Sequence, residues 1–346
     1  MQKELKLEDY VDKKTGFVPA AGFSNNKAMT LHQWWRDTEL IFRAVDFQTK
    51  KLIAKGLETY MYKNQSRFTD FEKLDWTDEC SYAPPLCNKY FETPFSRWLF
   101  HQNDSVASKL YIACESKNKE IADKLTAYLE FREFYKDEEG GIWEGDGPIE
   151  YAGQKLKKRL RASTICACTK GIETYEKHFE KTGTTKFLLK KAYDSAEKIL
   201  PCECLATETE KPQVNNLALA FVLAINPILP IRENKELQEQ ILKNVLKLDR
   251  VFGVIRFPGD RWDGVRHHSI NEIEPMQWLI GKYLLALITK DLKYFNQGES
   301  VVQKFGYTAE GIVNIGTFEE PNHQSNQTYL LETEAVRRLA KKELKI

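Results

Sequence analysis

Apolar side chains recur along most of the chain at the three-and-four-residue spacing that places them on one face of a helix. From near Thr30 this spacing runs through Trp34, Ile41, Ala44, Val45, Leu52 and Ile53 and predicts one long helix. A short helical pattern precedes it at residues 3–11 and stops in Asp12-Lys13-Lys14-Thr15-Gly16, a turn composition. Helical patterns return at about 103–116 and 118–134, then near 159–181, 185–200, 215–226, 234–248, 275–291 and 327–344. Thr182-Gly183 and Asn226-Pro227 supply stops between them. No strongly alternating run asks for a substantial sheet, and residues 252–257 leave room for short strands. With no low-complexity stretch to divide it, the chain is expected to form an all-α fold of helical hairpins, one domain over residues 1–346.

Three polar stretches interrupt the helices. Residues 64–96 are rich in proline and aromatic side chains, and residues 249–272 form a second long loop. Between two helical patterns lies Glu139-Gly140-Gly141-Ile142-Trp143-Glu144-Gly145-Asp146-Gly147-Pro148. Glycines let this backbone bend sharply and approach a ligand closely. Glu144 stands beside the broad apolar face of Trp143, and an aromatic wall that excludes water raises a carboxyl pKa, one way to make a general acid.

Composition narrows the ligand. The 51 basic and 50 acidic residues leave a net charge of +1, which gives no overall attraction to nucleic acid or a membrane surface and suits a neutral partner. Aromatic residues make up 12 %, with seven tryptophans, enough for a core and for faces on which sugars stack. The start, Met1 to Lys6, has no apolar h-region, and the longest apolar run, Leu217 to Ile225, is too short to span a bilayer. Together with seven cysteines, an odd number, this leads us to expect reduced thiols and a cytoplasmic location. Cys166-Ala167-Cys168 and Cys202-Glu203-Cys204 lack the usual zinc spacing, and His267-His268 beside Asp263 has no third ligand in register. No metal or cofactor is expected, and oligomeric state is not legible.

Four constellations carry candidate chemistry. In Trp34-Trp35-Arg36-Asp37 an Arg–Asp pair beside aromatic rings can bind vicinal sugar hydroxyls, since the carboxylate accepts where the guanidinium donates. Trp98, Gln102 and Asp104 form a second set, and Trp143 and Glu144 a third. The fourth is Arg256-Phe257-Pro258-Gly259-Asp260, followed by Glu274-Pro275-Met276-Gln277-Trp278.

In order and spacing these segments resemble glycoside hydrolase family 15, the glucoamylase and glucodextranase group, and the related amino-terminal domain of phosphorylase kinase regulatory subunits. Trp35-Arg36-Asp37 matches the family's W-R-D motif at the non-reducing glucose, and Trp98, Gln102 and Asp104 match its W-x-x-x-Q-x-D segment. Gly141-Ile142-Trp143-Glu144 matches the G-I-W-E loop of the general acid, with Ser163-Thr164 in the helix after it. Arg256, Phe257 and Asp260 match R-[FY]-x-x-D. The resemblance implies an (α/α)6 toroid whose loops form a sugar pocket at one end. It also implies an α-glucoside or short oligosaccharide as ligand, Glu144 as general acid, and Trp35, Arg36, Asp37, Trp98, Gln102, Asp104, Trp143 and Arg256 as sugar-binding residues.

One departure divides the readings. Where the family carries its general base, an ungapped match places Ile315, and only Glu319 or Glu320 on a different loop path could stand in. Inversion needs a second carboxylate about 6.5–9.5 Å from the acid to activate water. An inverting α-glycosidase with Glu144 as acid and Glu319 as base is one reading. A carbohydrate-binding or regulatory module that keeps the pocket without hydrolysis is the other, and another enzyme on the same toroid, acting on an uncommon sugar or a non-glucose glycoside, is a third.

Overall fold

A computed structural model describes residues 6–25, 27–65, 80–82, 84, 89–90, 103–136, 150–151, 154–155, 160–203, 216–257, 260, 274–317 and 319–346. Its helices are α1 (Trp35–Ala44), α2 (Phe47–Lys63), α3 (Asn103–Glu115), α4 (Lys119–Phe131), α5 (Ala162–His178), α6 (Gly183–Ile199), α7 (Asn216–Ala224), α8 (Leu229–Glu233), α9 (Lys235–Leu246), α10 (Ile280–Thr289), α11 (Leu292–Phe305) and α12 (Leu331–Leu344). Six of them, α1, α3, α5, α7, α10 and α12, pack each on the next, and α12 returns to α1, so the ring closes on itself. Outside it α2, α4, α6, α9 and α11 form a second layer, and a 3-10 turn at Leu7–Tyr10 packs on α12. This is an all-α toroid of helical hairpins.

Burial follows layer. An inner helix touches neighbours on every side, and α3 accordingly buries Val106, Ala107, Leu110, Ile112, Ala113 and Cys114 with almost no exposed face. An outer helix needs only a stripe: α4 buries Ile121, Ala122, Leu125, Tyr128 and Leu129 and leaves Glu120 and Lys124 in solvent. The Cys166–Cys168 pair lies on α5 inside this core, where burial pushes the Cys166 thiol well up and Cys168 Sγ donates to the Asn103 carbonyl at 3.3 Å. No helix among the described residues is long and apolar enough to cross a membrane.

The periodicity misplaces some boundaries. The long helix expected from Thr30 is two helices, because Val45 is extended and Asp46 caps a new start by accepting from Thr49 N at 2.8 Å. Both helices face one core, so the apolar spacing runs on across the break. The helix α11 has no counterpart in the expected set: it buries only Phe295, Gly298 and Val301, a stripe diluted by polar positions. A Cβ at Gly298 would come within 2.7 Å of the Tyr283 ring, so glycine lets α11 lie against α10. The short α8 was likewise not expected.

Strands are short but more numerous than the sequence suggested. They are β1 (Ala21–Phe23), β2 (His32–Trp34), β3 (Cys80–Tyr82), β4 (Glu150–Tyr151), β5 (Gln154–Lys155), β6 (Gln277–Trp278), β7 (Gly311–Asn314), β8 (His323–Ser325) and β9 (Tyr329–Leu330). Antiparallel pairing joins β1 to β9, β2 to β3, β4 to β5, and β6, β7 and β8 in one three-stranded sheet. Residues 252–257 form no strand, only bridges through Val254. The strands β2, β6 and β9 lead directly into α1, α10 and α12 and so fix where three inner helices begin.

Candidate active site at the mouth of the ring

An outer helix lies between successive inner ones, so the inner helices run the same way and their N-termini share one end. The first turns carry a register: the second residue of α1, α3, α5 and α12 is Arg36, Asp104, Ser163 and Glu332, and the third is Asp37, Ser105, Thr164 and Thr333. In α7 and α10 the second residue is Leu217 and Gly281. Four adjacent helices therefore present an arc of polar second and third residues, while the second residues of the two others are not polar. The N-terminal end of a helix carries partial positive charge and unpaired N–H groups, which favours carboxylates there.

Within the arc, side chains from different helices meet. Arg36 Nε lies 3.4 Å from Asp37 Oδ1, and Arg36 Nη1 lies 3.8 Å from Asp104 Oδ2. Asp104 is buried and accepts from Ser105 N at 2.9 Å. The guanidinium of Arg36 also stands over the Trp34 ring at 5.6 Å. Glu332, in the first turn of α12, is buried, and the like charge of Asp37 bears on it. At the other end of the arc Glu203 accepts from Ser163 Oγ and from Ser163 N, the latter at 3.2 Å, while its own carbonyl caps α5 by accepting from Ala162 N at 2.8 Å.

This arc holds four buried carboxyl groups, Asp37, Asp104, Glu203 and Glu332, and two guanidinium groups, Arg36 and Arg161. Full ionisation would bury an excess of negative charge, which desolvation makes costly. Two carboxyls respond. Burial, with the like charge of Asp37 next, pushes Glu332 well above the usual carboxylate range against the opposing pull of Arg36. Burial pushes Glu203 up to about 7, opposed by Arg161 and by its bonds from Ser163 and reinforced by Asp104.

The opposite arc handles charge differently. Arg256 donates from Nε and Nη2 to the two oxygens of Asp260, each at 2.9 Å, a two-pronged buried pair. The same guanidinium stands 5.4 Å from the Trp278 ring, and the Arg256 carbonyl accepts from Leu217 N at 3.4 Å, so Arg256 ties the starts of α7 and α10 together. The approach is tight: a Cβ at Gly281 would lie 2.5 Å from Val254 Cγ2, which only glycine avoids.

Of the expected site residues, Arg36, Asp37 and Asp104 come together. Trp35 starts α1 but is fully buried, packed edge-on to Tyr60 at 5.1 Å between ring centroids, and so stands in the core rather than at an open face. Arg256 lies in the facing arc, bound to Asp260. Glu319 and Glu320 sit in an exposed turn after β7, where Thr317 N bonds Glu320 O at 3.2 Å, and Ile315 is 59 % exposed. Trp98, Gln102, Trp143 and Glu144 lie outside the described residues. Sequence reasoning missed Glu203, Arg161 and Glu332. Glu203 was visible only as the centre of a C-x-C pair, and Glu332 as one of two acidic residues opening the last helix. A signal for Glu332 existed in its second-position register, once helix starts are known.

A cavity of about 460 Å³ lies elsewhere, between the N-terminal segment and the later turns of α12. Its arginines are already held, Arg337 by Glu299 at 2.6 and 2.7 Å and Arg338 by Glu8 at 2.9 Å. Those are ion pairs tying α12 to its neighbours.

Comparison with solved structures places this architecture. The chain superposes on a wild-type glycosidase with a TM-score of 0.66 and 14 % identity, covering 98 % of this chain and 94 % of that one. The fold is that of the glucoamylases. A glucoamylase from Saccharomycopsis fibuligera matches with a TM-score of 0.64 and 13 % identity over 96 % of this chain and 89 % of that one. A sugar epimerase from a ruminal bacterium matches with a TM-score of 0.56 and 11 % identity over 98 % and 96 %. No family model matches the chain, and no curated protein does.

Proposed function

We propose that the mouth of the ring binds the non-reducing end of an α-glucoside or short α-gluco-oligosaccharide, and that the chain is an inverting glycosidase of family 15 type in one domain. The observation that carries this reading is the meeting of Arg36, Asp37 and Asp104, from two inner helices, in one buried charged arc. Such an arc offers fixed donors and acceptors to neighbouring sugar hydroxyls. Held rigidly by helix first turns, it spends little on reorganisation when a ring binds, the condition for orienting a bond toward an acid. In this reading Glu144 protonates the leaving oxygen, with Trp98, Gln102 and Trp143 completing the pocket, and a second carboxylate activates water.

The exposure of Ile315 and the solvent-facing turn of Glu319 favour a second reading, in which the pocket binds sugar without cleaving it. One assay separates the two. Wild type and Glu144→Gln are incubated with maltose, isomaltose, trehalose and dextrin, and glucose release and its anomer are followed. Glycosidase activity predicts release by wild type, a loss of at least about 100-fold in the variant, and β-glucose as first product. Saturable binding with no release supports the binding module. Interconversion of a free sugar without cleavage supports an epimerase-like chemistry.

A further inference from the structure

We propose that Glu332 is the catalytic carboxylate that activates water, the base that the loop after β7 does not supply. This rests on the glycosidase reading of the mouth and names the second carboxylate that the reading leaves open.

Its place in the ring is the first support. The inner helices follow one another as α1, α3, α5, α7, α10 and α12, so α12 stands three places from α5 in either direction. Helix starts three places apart face each other across the mouth. Along the chain, the segment that carries Glu144 runs into α5. Inversion needs an acid on one face of the sugar ring and a base on the other. Glu332 is the second residue of α12, the position that on α1 and α3 brings Arg36 and Asp104 within 3.8 Å of each other. The start of α12 is also held firmly: Leu330 pairs with Ala21, and Leu331 N donates to Ala20 O at 3.2 Å. A base fixed in this way needs little reorganisation to meet its water.

The other carboxyls nearby are already engaged. Asp37 lies 3.4 Å and Asp104 3.8 Å from Arg36, and Asp104 also accepts from Ser105 N. Glu203 accepts from the hydroxyl and the N–H of Ser163. Glu310, ahead of β7, accepts from Asn326 Nδ2 at 2.5 Å, and Glu334 faces Arg337 and Arg338. Glu332 is 3 % exposed, and no described residue donates a hydrogen bond to its oxygens. A buried carboxylate without a donor is costly, and a water at the sugar can be that donor. Glu319, in its exposed turn, has no such shelter from bulk solvent. Burial also strengthens the hold of Glu332 on a proton, and a base works best when its pKa lies near the working pH. In the step, water attacks the anomeric carbon while its proton passes to Glu332. The bond from that carbon to the leaving oxygen breaks, and the leaving oxygen takes the proton of Glu144. One water is consumed, and an α-glucoside releases β-glucose.

The test measures turnover of maltose and α-glucosyl fluoride by wild type, Glu332→Gln, Glu332→Ala and Glu319→Gln, with and without sodium azide. Both Glu332 variants are expected to lose at least about 100-fold on maltose, and Glu319→Gln to keep the wild-type rate. Azide fits where the Glu332→Ala side chain is cut back, and it should displace fluoride there to give β-glucosyl azide, a product that a merely structural role would not yield. Wild type should gain nothing from azide. Wild-type turnover in Glu332→Gln overturns the proposal, as does a loss at Glu319 in place of Glu332. Loss at Glu332 without azide product, in variants whose circular dichroism is that of wild type, overturns it too. Should Glu332→Ala fail to fold, Glu332→Gln, which keeps the volume, is judged by the same two outcomes. Wild type that turns over neither substrate refutes the glycosidase reading itself, and the base assignment with it.

Discussion

The two arcs of the mouth solve one problem in opposite ways. On the side of α7 and α10, Arg256 and Asp260 neutralise each other through two bonds of 2.9 Å, over the Trp278 ring. On the side of α12, α1, α3 and α5, four buried carboxyls among the described residues stand with two guanidinium groups, and burial pushes Glu203 and Glu332 upward. A closed, two-pronged ion pair spends its donors and acceptors on itself. An arc that holds a carboxyl raised to about 7, as Glu203 is, changes its charge with pH. On the proposed function, one side serves as wall and the other as binding surface.

Breaking the wall should have the largest effect. Asp260→Asn leaves Arg256 buried with a weaker partner, and we expect a loss of about 3–5 kcal/mol in chemical denaturation. A loss smaller than that of an exposed pair would show that Asp260 does not fix the α7 and α10 starts.

The polar arc should show its dependence on protons next. Glu203 titrates near 7 in the fold against 4.5 as an unperturbed group, so the proton is bound more tightly in the native state. Its contribution is fully present below about 4.5 and is lost as pH rises through about 7. Over that window wild type should lose roughly 2–3 kcal/mol relative to Glu203→Gln, which cannot ionise. Denaturant midpoints of the two proteins measured through the window check this, and parallel curves would remove Glu203 from the balance.

Asp37→Asn tests the ligand side. It removes a charge from the most crowded point of the arc, so stability should hold or rise slightly, while maltose affinity should fall about 10–100-fold. A variant that lost stability and kept affinity would reverse the assignment of the two arcs. The smallest effect belongs outside the mouth: Lys119, paired to Asp123 at 2.8 Å on the exposed face of α4, should leave both stability and binding unchanged when replaced by alanine.

How far the sequence reaches can be read from particular residues. The inner and outer helices were legible because their apolar spacing reports burial directly, as in α4 and α5. The break at Asp46 was not, because helices on both sides face the same core and the spacing never falters. The helix α11 escaped because Gly298 and its polar neighbours blur a narrow stripe. In the site, Arg36, Asp37 and Asp104 could be picked out by local motif, and the structure brings them together. Glu203 and Glu332 could not, since each acquires its role from a partner on another helix, Ser163 and Asp104 in one case and Asp37 in the other. Local pattern carries no information about which helix starts will share a ring.

The account stands most directly on whether the polar arc holds a sugar. Titration of maltose into wild type and Asp37→Asn at mildly acid pH, with the fold of both verified by circular dichroism, measures this. Saturable binding by wild type, weakened at least about tenfold in the variant, is the predicted result. Equal affinity in the two folded proteins, or no heat in either, would contradict a sugar site at the mouth of the ring.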